Sequence, residues 1–549
     1  MRPAACALIA AFVILAVTSL WHDSQTSDEA IHIAAGFAHL TRADFAINPE
    51  HPPLAKEIAA LPLLGMGVSL PVGEPAWADA HRSGFQLPLG ESFLYRNSVP
   101  FPVMLRAARL PIVVLGALTC LVIFVFSKRL FGWQGGLVSL ALAALCPNLL
   151  AHSRLVTTDL AVSFFLLLAL YRLWLFLMHP TDMNALLAGA AAGATLASKF
   201  SAVMVLPAMV LVLMAAPSPS VPRRAKVFVL MAAAALGVLL SSYAVVGWPH
   251  YVAGIKGVFE TVTGGTEAFL LGSFSTSGWW YYYPAVMLMK TPVPSLICIG
   301  LTVAIMLSAG GRKRLRDLAV LWIPLAVFFL ASLASARNVG LRHVLPLYPF
   351  LYVSCGSVVM LGRPAAHRQR AVLAGVLGLW LAGSALFIHP SYLAYVNELW
   401  GGPSNAPRLV SDSNVDWGQD FVRLKQLMDR EGAGEILLGY YGNQDPALYG
   451  ITWQNLPGAG HINPPPGHLV SGERVLAAVS VMTLQGMFSR NKDEYAFLRS
   501  REPLARVGYS LYVYDLTGDR AAFEWLAGLY GARKMAAQER WARDRLANL

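Results

Sequence analysis

Two adjacent carboxylates, Asp28 and Glu29, stand just beyond an apolar run, 4–20, and are followed by Glu50-His51-Pro52-Pro53-Leu54-Ala55-Lys56. Ionisable groups held against lipid cost free energy and mark functional sites. A carboxylate there can take a proton from an acceptor hydroxyl or amine while neighbouring cations offset the charge of a departing anion. Ser27-Asp28-Glu29 also suits a helix start, with a side-chain cap and acids in the first turn. A third chemistry is a divalent metal held by Asp28, Glu29, His32, His39 and His51, although no HExxH-type spacing is present.

Further cations fall in loops predicted on the same face: Lys56, Arg96, Arg106, Arg109, Arg154, Lys199, Lys290, Arg337 and Arg342, with acids at Asp28, Glu29, Asp44, Glu50 and Asp159. Singly, each reads as an interfacial snorkeller or a partner of a local acid. As a set at one membrane level they suit an anionic lipid headgroup, arginine as a two-pronged donor and lysine as a point charge. The run Gly278-Trp279-Trp280-Tyr281-Tyr282-Tyr283, ending at Lys290-Thr291-Pro292, has the composition of an interfacial aromatic belt. Its rings could equally stack on a sugar or line the entry of an isoprenoid chain. The preceding glycine-rich stretch, with Gly264-Gly265 and 272–277, reads as a helix-free gating loop.

The elements that must position these groups are membrane spans. The chain has 549 residues, 56% hydrophobic and 13% charged, with mean hydropathy +0.53, which indicates a polytopic α-helical membrane protein. Runs long enough to cross a bilayer lie at 4–20, 108–127, 134–151, 158–178, 227–247, 284–308, 318–335, 344–361 and 371–388. A longer run, 185–216, is broken by Ser198-Lys199-Phe200-Ser201 and reads as two short spans, giving about eleven in all. The first run is expected to be a retained span, since Ser19-Leu20-Trp21 is a poor cleavage site.

With the N-terminus inside, Lys128-Arg129, Arg223-Arg224 with Lys226, Arg312-Lys313-Arg314 with Arg316, and Arg363, Arg368 and Arg370 all become cytoplasmic, as the positive-inside rule requires. That orientation puts 21–107, 248–283 and the C-terminal region outside. The transmembrane unit is expected over 1–389 and a small extracytoplasmic α/β domain over 390–549. In the first loop, 28–40 reads as a helix carrying Asp28, His32 and Gly36 on one face, and 52–68 as an interfacial helix. In the domain, 408–412, 435–441, 474–481 and 509–514 read as strands, 418–430 as an amphipathic helix and 520–549 as helical.

The net charge of +11 does not point to nucleic acid, because the basic residues come in short clusters between apolar runs. The cysteines, Cys6, Cys120, Cys146, Cys298 and Cys355, all lie in predicted spans, which excludes a disulfide framework or a zinc-finger spacing.

The Asp28-Glu29 pair followed by His51-Pro52-Pro53-Leu54-Ala55-Lys56 resembles the protein O-mannosyltransferases. With the lipid A aminoarabinose transferases, these belong to the C-type (GT-C) glycosyltransferase superfamily. Thr157-Thr158-Asp159, Ala197-Ser198-Lys199-Phe200-Ser201, Asn338-Val339-Gly340-Leu341-Arg342-His343, Pro346-Leu347-Tyr348-Pro349 and the stretches 392–398 and 412–419 resemble bacterial family-39-like members, so the resemblance covers nearly the whole chain. It implies a GT-C-like fold and a polyprenyl-monophosphate sugar used outside the cytoplasm without a nucleotide. Carried onto this chain, Asp28 is the base, Glu29 its partner or an acceptor contact, and Asp159 a second acid. Lys56, Arg109, Lys199 and Arg342 are expected to hold the lipid phosphate, joined by Lys290 and Arg337. His51, His32, His343 and Tyr282 complete the candidate site.

The expected activity is glycosyl transfer to an extracytoplasmic lipid, glycan or protein at the bacterial cytoplasmic membrane, by in-line displacement with inversion. The alternative is a transporter or flippase for an anionic isoprenoid-linked lipid. Transporters commonly show repeated halves and ionisable groups at mid-span, and this sequence shows no repeat and almost no ionisable residues within its predicted spans.

Overall fold

The computed structural model describes the chain except residues 1–2, 84–85, 216–220, 309, 312–314, 362–366 and 458–466. The predicted cytoplasmic charges Arg312-Lys313-Arg314 and Arg363 lie outside the described residues. Among the described residues, five helices are long and apolar enough to cross a membrane: Pro3–Leu20, Phe101–Ala144, Thr158–Met178, Ala225–Ser242 and Ala371–Ile388. The shorter apolar helices Phe200–Ala215, Val293–Leu307, Ala319–Leu333 and Leu347–Met360 join them.

The predicted runs 108–127 and 134–151 fall on two helices that meet at Gly132, whose φ of 77° and ψ of −178° break the stretch Phe101–Ala144. The run 185–216 breaks as its sequence suggests: Asp182–Leu196 ends before Lys199, and a 3-10 turn, Phe200–Met204, leads into Val205–Ala215. Asp182–Leu196 packs on Val221–Ser242 backbone to backbone. A Cβ added at Gly189 would sit 2.2 Å from the Met231 carbonyl oxygen, and one at Gly193 would sit 2.3 Å from that of Ala235. Small residues four apart are how helices approach closely in lipid, where burying apolar surface gives little drive.

In the first long loop, Glu29–Arg42 is helical as expected, and 52–68 begins as the helix Leu54–Ala60 and tightens into a 3-10 turn, Leu61–Gly65. The stretch before the aromatic run is free of helix from Gly265 to Ser277, as its glycines suggest, but it is ordered into a hairpin. The helix Trp248–Gly264 leads into this antiparallel hairpin of β1 (Ala268–Leu270) and β2 (Ser273–Ser275). The hairpin is tied to the C-terminal region by a bridge between Leu270 and Val410.

The C-terminal region folds around a five-stranded sheet in the order β4-β3-β5-β7-β6, formed by β3 (Glu435–Gly439), β4 (Thr452–Asn455), β5 (Leu476–Ser480), β6 (Ala505–Val507) and β7 (Leu511–Asp515). β4, β3 and β5 run parallel, and β7 is antiparallel to β5 and β6. Alternate residues serve opposite faces. Ile436, Leu438, Leu476, Ala478 and Val513 pack with Phe421, Leu424 and Met428 of the helix Phe421–Glu431. Leu437, Ala477, Val479 and Tyr514 turn toward the core that holds Phe523, Leu526 and Tyr530 of the helix Arg520–Ala532. The last helix, Ala536–Ala547, packs on the domain through a Trp541 indole N–H bond to the Val470 carbonyl of 2.7 Å.

One strand assignment is corrected. Residues 408–412 are not a strand: they span a helical turn, Ala406–Leu409, and the start of a 3-10 turn, Asp412–Asn414. Asp412 has φ 57°, a left-handed conformation that ends any extended run.

Candidate functional site

Asp28 and Glu29 open the same helix and go to different places, because each residue turns the helix by about 100°. Glu29 points inward and is fully buried. Its Oε1 accepts from the Arg109 Nε–H at 2.8 Å and the Val156 N–H at 2.9 Å. Its Oε2 accepts from the second Arg109 arm at 2.6 Å and the Thr26 N–H at 2.9 Å. Arg109, also fully buried, spends its other donors on the carbonyls of Leu20, Asp23 and Ser24. The structure therefore places Glu29 and Arg109, expected as a catalytic acid and a phosphate ligand, in a closed pair that locks the first loop to Phe101–Ala144.

Asp28 is the N-cap residue but makes no side-chain capping bond. Its Oδ2 instead accepts from Arg342 at 3.1 Å, and its side chain is 33% exposed. Arg342 lies on the 3-10 turn Leu341–Val344, 3.9 Å from Asp159 Oδ2 and 4.2 Å from the centroid of the Trp417 ring. Burial pulls its pKa down, but Asp28, Asp159 and Asp412 outweigh this and hold it above the ordinary value. Asp159, in the first turn of Thr158–Met178 and 1% exposed, accepts from Lys199 Nζ at 2.5 Å. The structure thus brings Asp28, Asp159, Lys199 and Arg342 together from four distant segments.

The remaining candidates surround or support this core. Gly36 lets Leu54–Ala60 press against Glu29–Arg42, since a Cβ there would lie 2.1 Å from the Lys56 carbonyl oxygen. That contact brings the His51 ring within 5.2 Å of His32, whose Nδ1 meets the Val156 carbonyl at 2.9 Å. Burial, then His32 and the nearby cations, push the His51 imidazole well below its usual pKa. Lys56 is sequestered: its ammonium donates to the Asn48 carbonyl at 2.7 Å, the Asn48 side chain at 3.2 Å and the His51 carbonyl at 2.7 Å. Burial draws its pKa down to about 7. Lys290 is likewise spent on the carbonyls of Leu393 at 2.8 Å and Asn414 at 2.5 Å, and Tyr282 accepts from Asn414 at 3.0 Å. Of the other cations, Arg154 pairs with Asp23, Arg96 with Glu74, and Arg106 lies over Trp21.

A cavity of about 240 Å³ opens beside the core. Lys199, Arg342 and His343 stand in its wall with Tyr283, while Val162, Val203, Met204, Ile255 and Phe328 supply an apolar lining. The Nε–H groups of Arg342 and Arg337 are buried and have no hydrogen-bond partner among the described residues. The aromatic run divides here, Tyr282 and Tyr283 buried and Trp280 and Tyr281 exposed. Among the described residues no three His, Cys, Asp or Glu gather as metal ligands, and His39 is turned away toward the Ile47 carbonyl.

Two residues unassigned by the sequence reading also belong to the neighbourhood, Asp412 and Trp417. The segment 412–419 touches both halves of the site. Ser413 Oγ and Asn414 Oδ1 hold the Val339 carbonyl and the Leu341 N–H, at 2.6 and 3.0 Å. The Trp417 carbonyl accepts from the Ser27 N–H at 3.1 Å, and that of Gln419 from the Ser24 N–H at 2.9 Å. Asn443 and Gln444 add bonds to the carbonyls of Ser27 and Gln25. Trp417 lay within a quoted motif, but nothing in its spacing signalled a stacking role.

Solved structures similar to the chain include ArnT from Cupriavidus metallidurans in the apo state, with TM-score 0.47 and 12% identity over 93% of this chain and 97% of that one. They include ArnT from the same organism bound to undecaprenyl phosphate, with TM-score 0.47 and 14% identity over 94% and 98%. The Archaeoglobus fulgidus oligosaccharyltransferase in the apo form gives TM-score 0.42 and 12% identity over 77% and 58%. No curated protein matches the chain. Over residues 101–248, which carry Arg109, Asp159 and Lys199, the chain matches the family of dolichyl-phosphate-mannose-protein mannosyltransferases.

Proposed function

We propose that the chain is an integral membrane glycosyltransferase that moves a sugar from a polyprenyl-phosphate donor to an extracytoplasmic acceptor at the bacterial cytoplasmic membrane. The observation that carries this reading is the two-natured cavity: Lys199 and Arg342 in its wall, an apolar lining around them, and Asp28 on the far side of Arg342. A phosphate fits between cations, and an isoprenoid chain fits against Val162, Val203, Met204, Ile255 and Phe328. The free Nε–H groups of Arg342 and Arg337 are donors in want of an acceptor. The mannosyltransferase match over 101–248 supports the same reading.

In this mechanism the acceptor oxygen forms a bond to the anomeric carbon from the face opposite the phosphate. The bond from that carbon to the phosphate oxygen breaks, its electron pair leaves with the phosphate, and the acceptor proton passes to Asp28. The donor phosphodiester gains one negative charge as it becomes a monoester, so Lys199 and Arg342 bind the transition state more strongly than the ground state. Asp28 is the accessible member of the three candidate carboxylates, at 33% exposure against 1% for Asp159 and none for Glu29. Asp159 acts by holding Lys199 and Arg342 in place. Purified Asp28→Asn, assayed with a polyprenyl-phosphate sugar, is expected to lose about 10²–10⁴-fold in turnover. Wild-type turnover in that variant would overturn the assignment of the base.

A further inference from the structure

The cavity is lined entirely by residues between Val162 and Pro346, so no part of the C-terminal domain forms its wall. Yet that domain reaches the other side of the Asp28–Arg342 pair, and there it presents a different surface. Asp412 is half-buried, and one of its oxygens is taken by the N–H of its own neighbour, Ser413, at 2.5 Å. Burial raises its pKa and Arg342 opposes the rise, with Asp28 among the charges it faces. Beyond it Tyr441 stacks on Phe488, with ring centroids 5.8 Å apart and planes 26° apart. Tyr441 also packs with Phe269 and Phe274 of the β1–β2 hairpin, whose Leu270 bridges Val410, two residues before Asp412.

Phe488 is 47% exposed, a costly position for a large apolar ring. Asp412 and Phe488 both have positive φ, 57° and 56°. Such strain persists only where surrounding structure imposes it, and it concentrates at functional sites. Around Phe488 that structure is visible: its N–H is held by Glu267, which pairs with Lys492 at 2.5 Å, and Lys492 in turn lies 4.5 Å from the centroid of the Phe274 ring on β2.

We infer that Asp412, Tyr441 and Phe488 form the acceptor subsite, and that the acceptor is a neutral glycan. A flat aromatic plate covers the C–H face of a pyranose, while a carboxylate and a phenol bond its hydroxyls; sites of this kind pair apolar area with a few polar groups that fix orientation. Asp28, on the same side of Arg342, is then positioned to take the proton of the hydroxyl that attacks. The inference rests on the glycosyltransferase reading above.

The test uses the full-length protein in nanodiscs. Binding of undecaprenyl phosphate, of mannohexaose, maltohexaose and chitohexaose, and of a serine- and threonine-rich peptide would be measured for wild type, Phe488→Ala, Tyr441→Ala and Asp412→Asn. The expected result is that at least one oligosaccharide binds wild type and loses on the order of tenfold with Phe488→Ala. Undecaprenyl phosphate binding should be unchanged in that variant. If undecaprenyl phosphate does not bind wild type, the donor reading falls. If it binds but no oligosaccharide does, or the peptide alone binds, or the oligosaccharide binds Phe488→Ala and Asp412→Asn as it binds wild type, the acceptor inference falls by itself. Because Phe488 is half exposed, its variant keeps the test valid should Tyr441→Ala fail to fold.

Discussion

Two carboxylate–arginine pairs begin in one helical turn and differ in almost everything else. Glu29–Arg109 is closed: both side chains are fully buried, and each glutamate oxygen has two donors. Asp28–Arg342 is open, held by one contact of 3.1 Å, with the aspartate a third exposed and an arginine N–H unspent. A saturated pair can only hold structure, whereas an unsaturated pair at a cavity can exchange partners with a ligand. Neighbours in sequence, facing directions about 100° apart, thus serve stability in one case and, in the proposed mechanism, chemistry in the other.

The comparison breaks most visibly at Arg109. Arg109→Ala leaves Glu29 buried without its partner and should cost about 3–5 kcal/mol, read as a fall in thermal unfolding temperature in detergent. A normal melting profile would mean that the closed pair is not structural. Arg342→Gln should instead keep the melting profile and lower kcat/KM by about 10²–10³-fold, with weaker binding of the polyprenyl phosphate.

Lys56 sharpens the contrast through pH. Its pKa falls from 10.5 unfolded to about 7 folded, so between these values the unfolded chain binds more protons and stability rises with pH. Relative to Lys56→Met, the wild type should gain about 1–2 kcal/mol between pH 7 and 8.5. A flat difference would show that Lys56 is not held in this buried form. Trp417→Ala is expected to have the smallest effect, about 0.5–2 kcal/mol in kcat/KM from the lost stacking on Arg342, and no change in that ratio would remove Trp417 from the site.

Local sequence pattern pointed to the candidate site more readily than to the different environments of its residues. Charges expensive near lipid marked Asp28, and the break at 198–201 marked Lys199, because both readings depend on local pattern. The fate of Glu29 depends on Arg109, eighty positions away, and on the N–H groups of Thr26 and Val156, which no spacing reveals. Lys56 and Lys290 read as phosphate ligands because the backbone carbonyls that absorb them have no signature in residue type. In the C-terminal domain the apolar strands β3, β5 and β7 were legible. β4 was missed because Thr452-Trp453-Gln454-Asn455 is short and mostly polar, its pairing supplied by β3. Residues 408–412 have strand-like composition but only one bridge, from Val410 to the hairpin.

The strap formed by 412–419 has a consequence for how the protein comes into being. The turn before Asp28 is synthesised about four hundred residues ahead of the groups that hold it, the carbonyls of Trp417, Gly418 and Gln419 and the side chains of Asn443 and Gln444. The membrane helices can therefore insert and pack before the reacting groups are fixed, and a nascent or truncated chain holds an unfinished centre. Folding of the C-terminal domain against the first loop is itself the event that arms it.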